Sequence, residues 1–239
     1  MDLQRYSKVV GKNPREMVML RAYPCKWGKC TFCDYIADNC ENTEEMVAEN
    51  HEILQNITGE LGVLDVIDSA SCFDLPQETV EEIRSIVQEK NIKKMFTECH
   101  YMYRRQLQNW REFFAIPMIF RCGVETFDND FRNGVLQKGA NFISPTEVAA
   151  YFESVCLLVG IQGQTKEMVR RDVQVLEQYF SYGCINIYTP NTTPIKEDLE
   201  LVEWFREEYA YLEENPNIEI LWHNEDLGVG TVLEGGVQS

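Results

Sequence analysis

Three cysteines fall within nine residues, Cys25-Lys-Trp-Gly-Lys-Cys30-Thr-Phe-Cys33, and thiols at that density can hold a soft metal, whose preference is for sulfur. Four residues separate the first pair and two the second. A cysteine can also be no more than a small buried hydrophobe, and a single C-x-x-C serves zinc or redox chemistry equally well, so the ligand count decides. A structural zinc closes with four protein ligands, and the nearby fourth candidates are Cys40 and, farther on, His51. Three cysteines on a four-iron cluster instead leave one iron without a protein ligand, open to a cofactor. Both readings stand at this point: a zinc-binding, non-redox protein using Cys25, Cys30, Cys33 and Cys40, or an iron–sulfur site with a vacant corner.

Something must present those thiols. Just upstream, Met17-Val-Met-Leu-Arg-Ala-Tyr23 is an apolar run ended by Pro24, which predicts a strand that delivers the cysteines onto a loop containing Gly28. The same strand-then-helix pattern recurs downstream. Asn42-Thr-Glu-Glu45 caps a helix expected to run to about residue 59. A strand over 62–68 follows, and Asp74 with Gln77 and Pro76 opens a helix to about residue 90. A third strand covers 92–97 with a helix over 101–110. The fourth, 117–124, is followed by one helix and then by another that Ser144-Pro-Thr-Glu147 caps. A strand over 154–159 leads through Gly160-Ile-Gln-Gly-Gln-Thr165 into a long helix, 184–188 precedes a helix through Leu199, Val202 and Phe205, and 218–222 is a last short strand. Six strand-helix repeats predict an α/β fold of parallel strands joined by helical crossovers. An open doubly wound sheet and a barrel both satisfy the pattern, and in both the ligands bind at the carboxyl ends of the strands.

With 239 residues, 44% of them hydrophobic and 26% charged, the chain can bury one good-sized core as a single domain. Basic residues number 22 against 39 acidic, a net charge of −17, and adjacent arginines occur at Arg104-Arg105 and Arg170-Arg171. That balance argues against a nucleic-acid partner, which calls for a basic stripe, and favours a small-molecule substrate. No apolar run reaches the length that spans a bilayer and the first five residues do not read as a secretion signal, so a cytoplasmic monomer or homodimer is expected. Cys72, Cys99, Cys122, Cys156 and Cys184 sit singly in apolar runs and are expected as free buried thiols.

The cysteine motif and the repeats after it resemble the radical S-adenosylmethionine superfamily, whose usual spacing of three then two residues is here four then two. The resemblance spans roughly residues 15–223. It implies a partial (β/α)6 TIM-like barrel of parallel strands with outer helices, an N-terminal extension over 1–14 and a C-terminal tail over 224–239. It further implies that Cys25, Cys30 and Cys33 hold a 4Fe-4S cluster whose fourth iron chelates S-adenosylmethionine, and that an external electron donor such as flavodoxin or ferredoxin reduces it. The cofactor then breaks to methionine and a 5′-deoxyadenosyl radical that takes hydrogen from the substrate. A lyase cleaving a carbon–nitrogen bond of a deazapurine base is the activity expected within the superfamily, the alternative being a radical enzyme that acts on another small molecule.

The resemblance also assigns roles residue by residue. Phe32, the aromatic before the last cysteine, is placed near the adenine. Gly123-Val-Glu125-Thr, with Leu136-Gln-Lys-Gly139 downstream, looks like the fourth-strand signature whose acidic residue, here Glu125, contacts the cofactor's ribose or amino group. Strand alternation puts Arg121 on the same face, where its guanidinium suits the cofactor carboxylate. Gly160 and Ile161 resemble the fifth-strand turn that approaches adenine, and Tyr188 is expected to contact the cofactor as well. Where the family often has a Gly-Gly-Glu stretch for the methionyl amine, this chain has Ser69-Ala-Ser71, which offers Ser69 and Ser71 as hydroxyl substitutes. Of the other polar groups at strand ends, Asp68, Tyr101, Asn186 and Asn191 are expected to touch the substrate, with Asn224 beside them. Glu98, His100 and His223 are the candidates for acid–base work, the histidines because of their near-neutral pKa. Acidic groups at the mouth suit a guanine-like base, which offers two donors to a carboxylate.

Overall fold

A computed structural model describes residues 3–223 and 226–231 of the chain. Its elements follow the expected alternation: β1 (Leu3–Gln4), β2 (Tyr6–Val9), β3 (Arg15–Leu20), α1 (Thr43–Leu54), β4 (Val63–Asp68), α2 (Gln77–Glu89), β5 (Lys94–Cys99), α3 (Leu107–Phe114), β6 (Met118–Glu125), α4 (Pro145–Ala149), β7 (Ser154–Val159), α5 (Lys166–Tyr179), β8 (Tyr182–Ile187), α6 (Leu199–Glu208), β9 (Ile218–Leu221) and β10 (Gly230–Thr231). The strands from β3 to β9 are consecutive and parallel in one sheet, and β2 adds antiparallel to β3 at its edge. Six strand-helix units and a closing strand therefore curl into the partial barrel, with α-helices on the outside and one continuous apolar core between them and the sheet.

What makes the sheet curl is visible at its floor. Arg15 on β3 grips both oxygens of Glu219 on β9 at 2.7 and 3.0 Å, so the first and last parallel strands meet through side chains. The same guanidinium donates to Asp65 on β4 at 2.9 Å, and Arg121 on β6 donates to that oxygen at 2.8 Å. Glu98 on β5 adds a fifth charge, 3.5 Å from Arg121. Charges this deeply buried persist only when paired, and here the pairing joins five of the seven parallel strands. Residues of the N-terminal extension finish the closure: Lys12 donates to the carbonyls of Leu212 and Ile218, and Asn13 to that of Pro216.

Several local expectations hold and several shift. Asn42 and Ser144 cap their helices as the sequence predicts, each side chain accepting from the backbone N–H three residues on. Helix α1 ends at Leu54 rather than near residue 59, because the Asn56 side chain donates to the carbonyls of Glu52 and Ile53 and closes the last turn. Asp74 does not cap α2. It lies in a 3-10 turn, buried, and accepts from the Tyr103 hydroxyl at 2.6 Å, while Pro76 occupies the cap position. The helix expected over 101–110 begins only at Leu107, since His100 accepts from the Met102 N–H and sets a 3-10 turn over Tyr101–Tyr103. The first helix expected after β6 is a single π turn, Phe131–Val135. Among the described residues no helix is long and apolar enough to cross a membrane.

Candidate functional site

The three cysteines lie on the loop after β3, half-buried and free of disulfides. Each end of that loop is tied down. At its start Asn39 accepts from the Cys25 N–H at 3.2 Å and donates to the Ser69 carbonyl and hydroxyl at 3.1 and 2.9 Å. In its middle the Trp27 indole N–H donates to the Gln137 carbonyl at 2.7 Å, and Thr31 donates to the carbonyls of Val135 and Leu136. At its end Phe32 O accepts from Asn191 at 2.8 Å, and Asp34 accepts from the Thr192 N–H and hydroxyl at 3.1 Å. Trp27 lies flat only because residue 139 is glycine: with φ +65°, a Cβ there would sit 2.1 Å from an indole carbon.

The thiols form one electrostatic group with Lys138 and Glu125. Burial pushes the Cys30 thiol up to about 12 and raises that of Cys33, while Lys138 pulls both down and Glu125 and the neighbouring cysteines push them up. A metal must displace those thiol protons. Cys40 stands apart from this group: it is buried and its thiol donates to the Asn42 carbonyl. Among the described residues no three His, Cys, Asp or Glu side chains converge around a single ion. An iron–sulfur cube places its thiolates on separate irons, so three partly buried thiols on one anchored loop fit it better than they fit a closed tetrahedral zinc.

The carboxyl end of β6 is strained in the manner of a functional site. The register with β7 slips between Gly123 and Glu125, and Glu125 has φ +64°, a conformation that side-chain-bearing residues rarely adopt. Glu125 Oε1 meets Lys138 Nζ at 2.7 Å, and Lys138 lies 5.6 Å from the centre of the Phe32 ring. Lys138 thus stands between the cluster thiols and the expected cofactor carboxylate ligand, a position that sequence reasoning left without a role. Next to it, Phe32 packs against a small apolar cluster containing Ile161, Tyr188, Leu158, Phe131 and Leu136. Three of the residues expected around the cofactor therefore do come together. Their support is Gln164, whose side chain accepts from the N–H groups of Gly160 and Ile161 at 3.0 Å and donates to Leu158 O at 2.7 Å. Nothing in the sequence distinguishes that glutamine from its neighbour Gln162.

Other residues of the expected site are engaged by protein groups. Arg121 faces inward as alternation predicts, where its guanidinium pairs with Asp65 and Glu98. Ser69 and Ser71 are buried, their hydroxyls accepting from the N–H groups of Ala22 and His100, so both hold strand ends together rather than face an amine. Tyr101 turns outward, donating to Glu147 at 2.7 Å and packing on Phe142 and Phe152, away from the lumen. Asn191 clamps the cysteine loop through Phe32 O and accepts from Thr193, which satisfies the amide that was expected to reach substrate. His100 has both ring nitrogens engaged, Nδ1 accepting from the Met102 N–H and Nε2 bonded to Lys138 O at 2.7 Å, and it stacks on Trp27. Burial drives its pKa down to about 4, with Lys138 adding to the effect, so it is a neutral positioning group rather than a proton shuttle. His223 sits exposed past β9, its backbone N–H bonded to Asp226. Asn224 and most of the 224–239 tail lie outside the described residues.

What remains facing the lumen is compact and polar. Asp68, at the end of β4, is 8% exposed and has one carboxylate oxygen without a partner; burial, with Glu98 adding to it, raises its pKa well above the carboxylate range. Glu98 is likewise raised, first by burial and against the pull of Arg121. Asn186 on β8 accepts from the Cys184 thiol at 3.2 Å. Tyr35, two residues past Cys33 at the start of a 3-10 turn, is 55% exposed, and sequence reasoning gave it no role.

Comparison with protein-family models and with curated proteins gives no match. Among solved structures, a queuine lyase from Clostridium spiroforme bound to SAM and queuine is 48% identical in sequence and superposes with a TM-score of 0.95, over 96% of this chain and 100% of its own. A radical SAM methyltransferase from Sphaerobacter thermophilus, 14% identical, shares the fold with a TM-score of 0.58 over 86% of this chain and 65% of its own.

Proposed function

Because the chain belongs to the queuine lyase family of radical S-adenosylmethionine enzymes, we propose that it cleaves the carbon–nitrogen bond of queuine to release 7-aminomethyl-7-deazaguanine. The observation that carries this reading is the full-length 48% identity to a queuine lyase bound to SAM and queuine, combined with three free thiols on one anchored loop. Cys25, Cys30 and Cys33 would hold the 4Fe-4S cluster. Bound there, cluster and S-adenosylmethionine together supply a 5′-deoxyadenosyl radical once an electron arrives.

The chain's own residues position and shield. Phe32, Ile161 and Tyr188 form an apolar cluster that would pack on the adenine, backed by the Gln164 bracket. Glu125, held at φ +64° with its charge balanced by Lys138, would accept from ribose hydroxyls of the cofactor. Asp68 and Glu98 supply acceptors for the ring N–H and exocyclic amine of the deazaguanine. Donors arriving there would draw both carboxyls back toward ionisation, so binding of the correct base itself relieves the cost of their burial. His223 stays the candidate for proton exchange with solvent, being exposed at the barrel mouth. The electron comes from an external donor such as flavodoxin or ferredoxin, and the enzyme works in the cytoplasm as a monomer or homodimer.

The test is direct. Anaerobically reconstituted protein, reduced with dithionite and given S-adenosylmethionine and queuine, should yield 7-aminomethyl-7-deazaguanine together with 5′-deoxyadenosine. A protein that binds about four irons yet forms neither product from queuine would refute the assignment.

A further inference from the structure

Two buried side chains account for the strained turn at Glu125. The Thr126 N–H donates to the Val124 carbonyl at 2.8 Å, which closes a three-residue turn over Glu125, and with φ +64° at the central residue this is the rare form of that turn. The next peptide, Thr126–Phe127, is gripped at both poles. Its carbonyl accepts from Arg132 Nη1 at 2.9 Å, and its N–H donates to Asp172 Oδ1 at 2.7 Å. Arg132 also donates through Nε to the Ala140 carbonyl at 2.9 Å, and its own carbonyl accepts from the Lys138 N–H at 3.0 Å. One residue therefore spans the two segments that bring Glu125 and Lys138 together. Gly123 leaves room for that pair, since a Cβ there would stand 2.8 Å from Glu125 Oε1 and 2.9 Å from Lys138 Nζ.

This arrangement is expensive. Besides the two carbonyls, the Arg132 guanidinium meets Asn129 Oδ1 at 3.2 Å and the face of Phe142, 3.8 Å from the ring centre, and burial outweighs the pull of Asp172 and Asp128 and lowers its pKa to about 10. A buried charge in that condition costs stability, and so does a side-chain-bearing residue at positive φ; such costs collect where a functional group must be held in one place. Asp172 extends the hold to a second part of the site. It stands on α5 beside Val169, Val173 and Leu176, which pack into the core, and α5 follows directly on the Gly160 to Thr165 turn that Gln164 brackets. We infer that Arg132 and Asp172 are positioning residues for the cofactor: by fixing both poles of the peptide after Glu125 they hold its carboxylate where the ribose arrives, and they tie it to the helix that follows the adenine turn. The inference rests on the proposed contact between Glu125 and S-adenosylmethionine, and both residues act through Glu125. Without them the turn is free to relax to negative φ, and cofactor binding must then supply the strain that the fold supplies in advance.

A double-mutant cycle on the cluster-loaded protein tests this, read as affinity for S-adenosylmethionine by equilibrium dialysis without turnover. Asp172→Ala should weaken binding about tenfold. In a Glu125→Ala background, which keeps a side chain at the same φ and leaves no carboxylate to place, the same substitution should change affinity by less than about twofold. Asp172→Asn keeps an oxygen for the Phe127 N–H and should restore binding to within about twofold of wild type. Iron content should be the same in every variant. Should Asp172→Ala not fold, Arg132→Lys, which keeps a buried cation but loses the grip on two carbonyls, enters the same cycle with the same expected outcome. An equal loss in both backgrounds marks a merely structural role and overturns the inference, as does a Glu125→Ala protein that binds the cofactor as tightly as wild type. The lyase reading fails separately, through a wild type that binds and cleaves S-adenosylmethionine yet forms no base product from queuine; the binding cycle is scored all the same.

Discussion

His100 offers a quantitative test of how the site is built. In the fold its neutral ring is held on both nitrogens and its pKa falls from 6.5 to about 4. A depressed folded-state pKa means that folding favours the neutral form. The stability it confers is therefore fully present above the unfolded-state value of 6.5 and is lost as the pH falls toward 4. At 1.36 kcal/mol per unit the whole window is worth on the order of 3 kcal/mol, and the part lost between pH 7 and pH 5 is about 2 kcal/mol. That is a sizeable share of the ~5–15 kcal/mol by which a domain is stable.

The perturbation is His100→Gln, compared with wild type in denaturant unfolding of the metal-free chain at pH 7, 6 and 5. Carboxylates that titrate in the same range cancel in the difference between the two proteins. Wild type should be the more stable at pH 7, because Gln fits neither the Trp27 stack nor both hydrogen bonds, and its lead should shrink by about 2 kcal/mol on going to pH 5. A lead independent of pH would refute the argument. The same reasoning forbids an inflection near pH 6.5 in the turnover profile that disappears in His100→Gln. A proton shuttle of ordinary pKa would produce one.

Two other perturbations probe the loop and the floor. Gly139→Ala places a methyl 2.1 Å from an indole carbon at φ +65°, so Trp27 must leave its stack; we expect red-shifted tryptophan fluorescence and fewer irons retained per chain after gel filtration, with the far-UV circular dichroism unchanged. Asp65→Asn removes the carboxylate shared by Arg15 and Arg121 and leaves two buried guanidinium groups underpaired, which should cost about 3–5 kcal/mol of unfolding free energy measured by denaturant titration.

Much of the scaffold is legible because parallel strands are buried on both faces and read as continuous apolar runs: Ser154–Val159 is buried at every position and its bounds coincide with those expected. Caps are legible for a similarly local reason, since Asn42 and Ser144 bond a backbone group three residues away. Asp74 carried the same local signal and failed, because a partner 29 residues downstream, Tyr103, claims its carboxylate.

The same origin accounts for the bonds that the sequence does not show at the expected site residues. Arg121 was placed on the correct face, but its partner Asp65 lies 56 residues earlier, on a strand that only the fold brings within 2.8 Å. Ser69, Ser71, Asn191 and His100 all stand at strand ends, where ligands bind in such folds, and all are satisfied by backbone groups of other segments. Position at a strand end therefore selects two populations, groups that meet ligand and groups that hold the ligand-bearing loops, and the unmet bonding capacity of each side chain separates them. Asp68, with an unpartnered buried oxygen, belongs to the first population; the four satisfied residues belong to the second. Substituting a member of the first should change turnover and substrate affinity with little change in cluster retention. Substituting a member of the second should loosen the cysteine loop and lower iron content before it alters affinity for queuine.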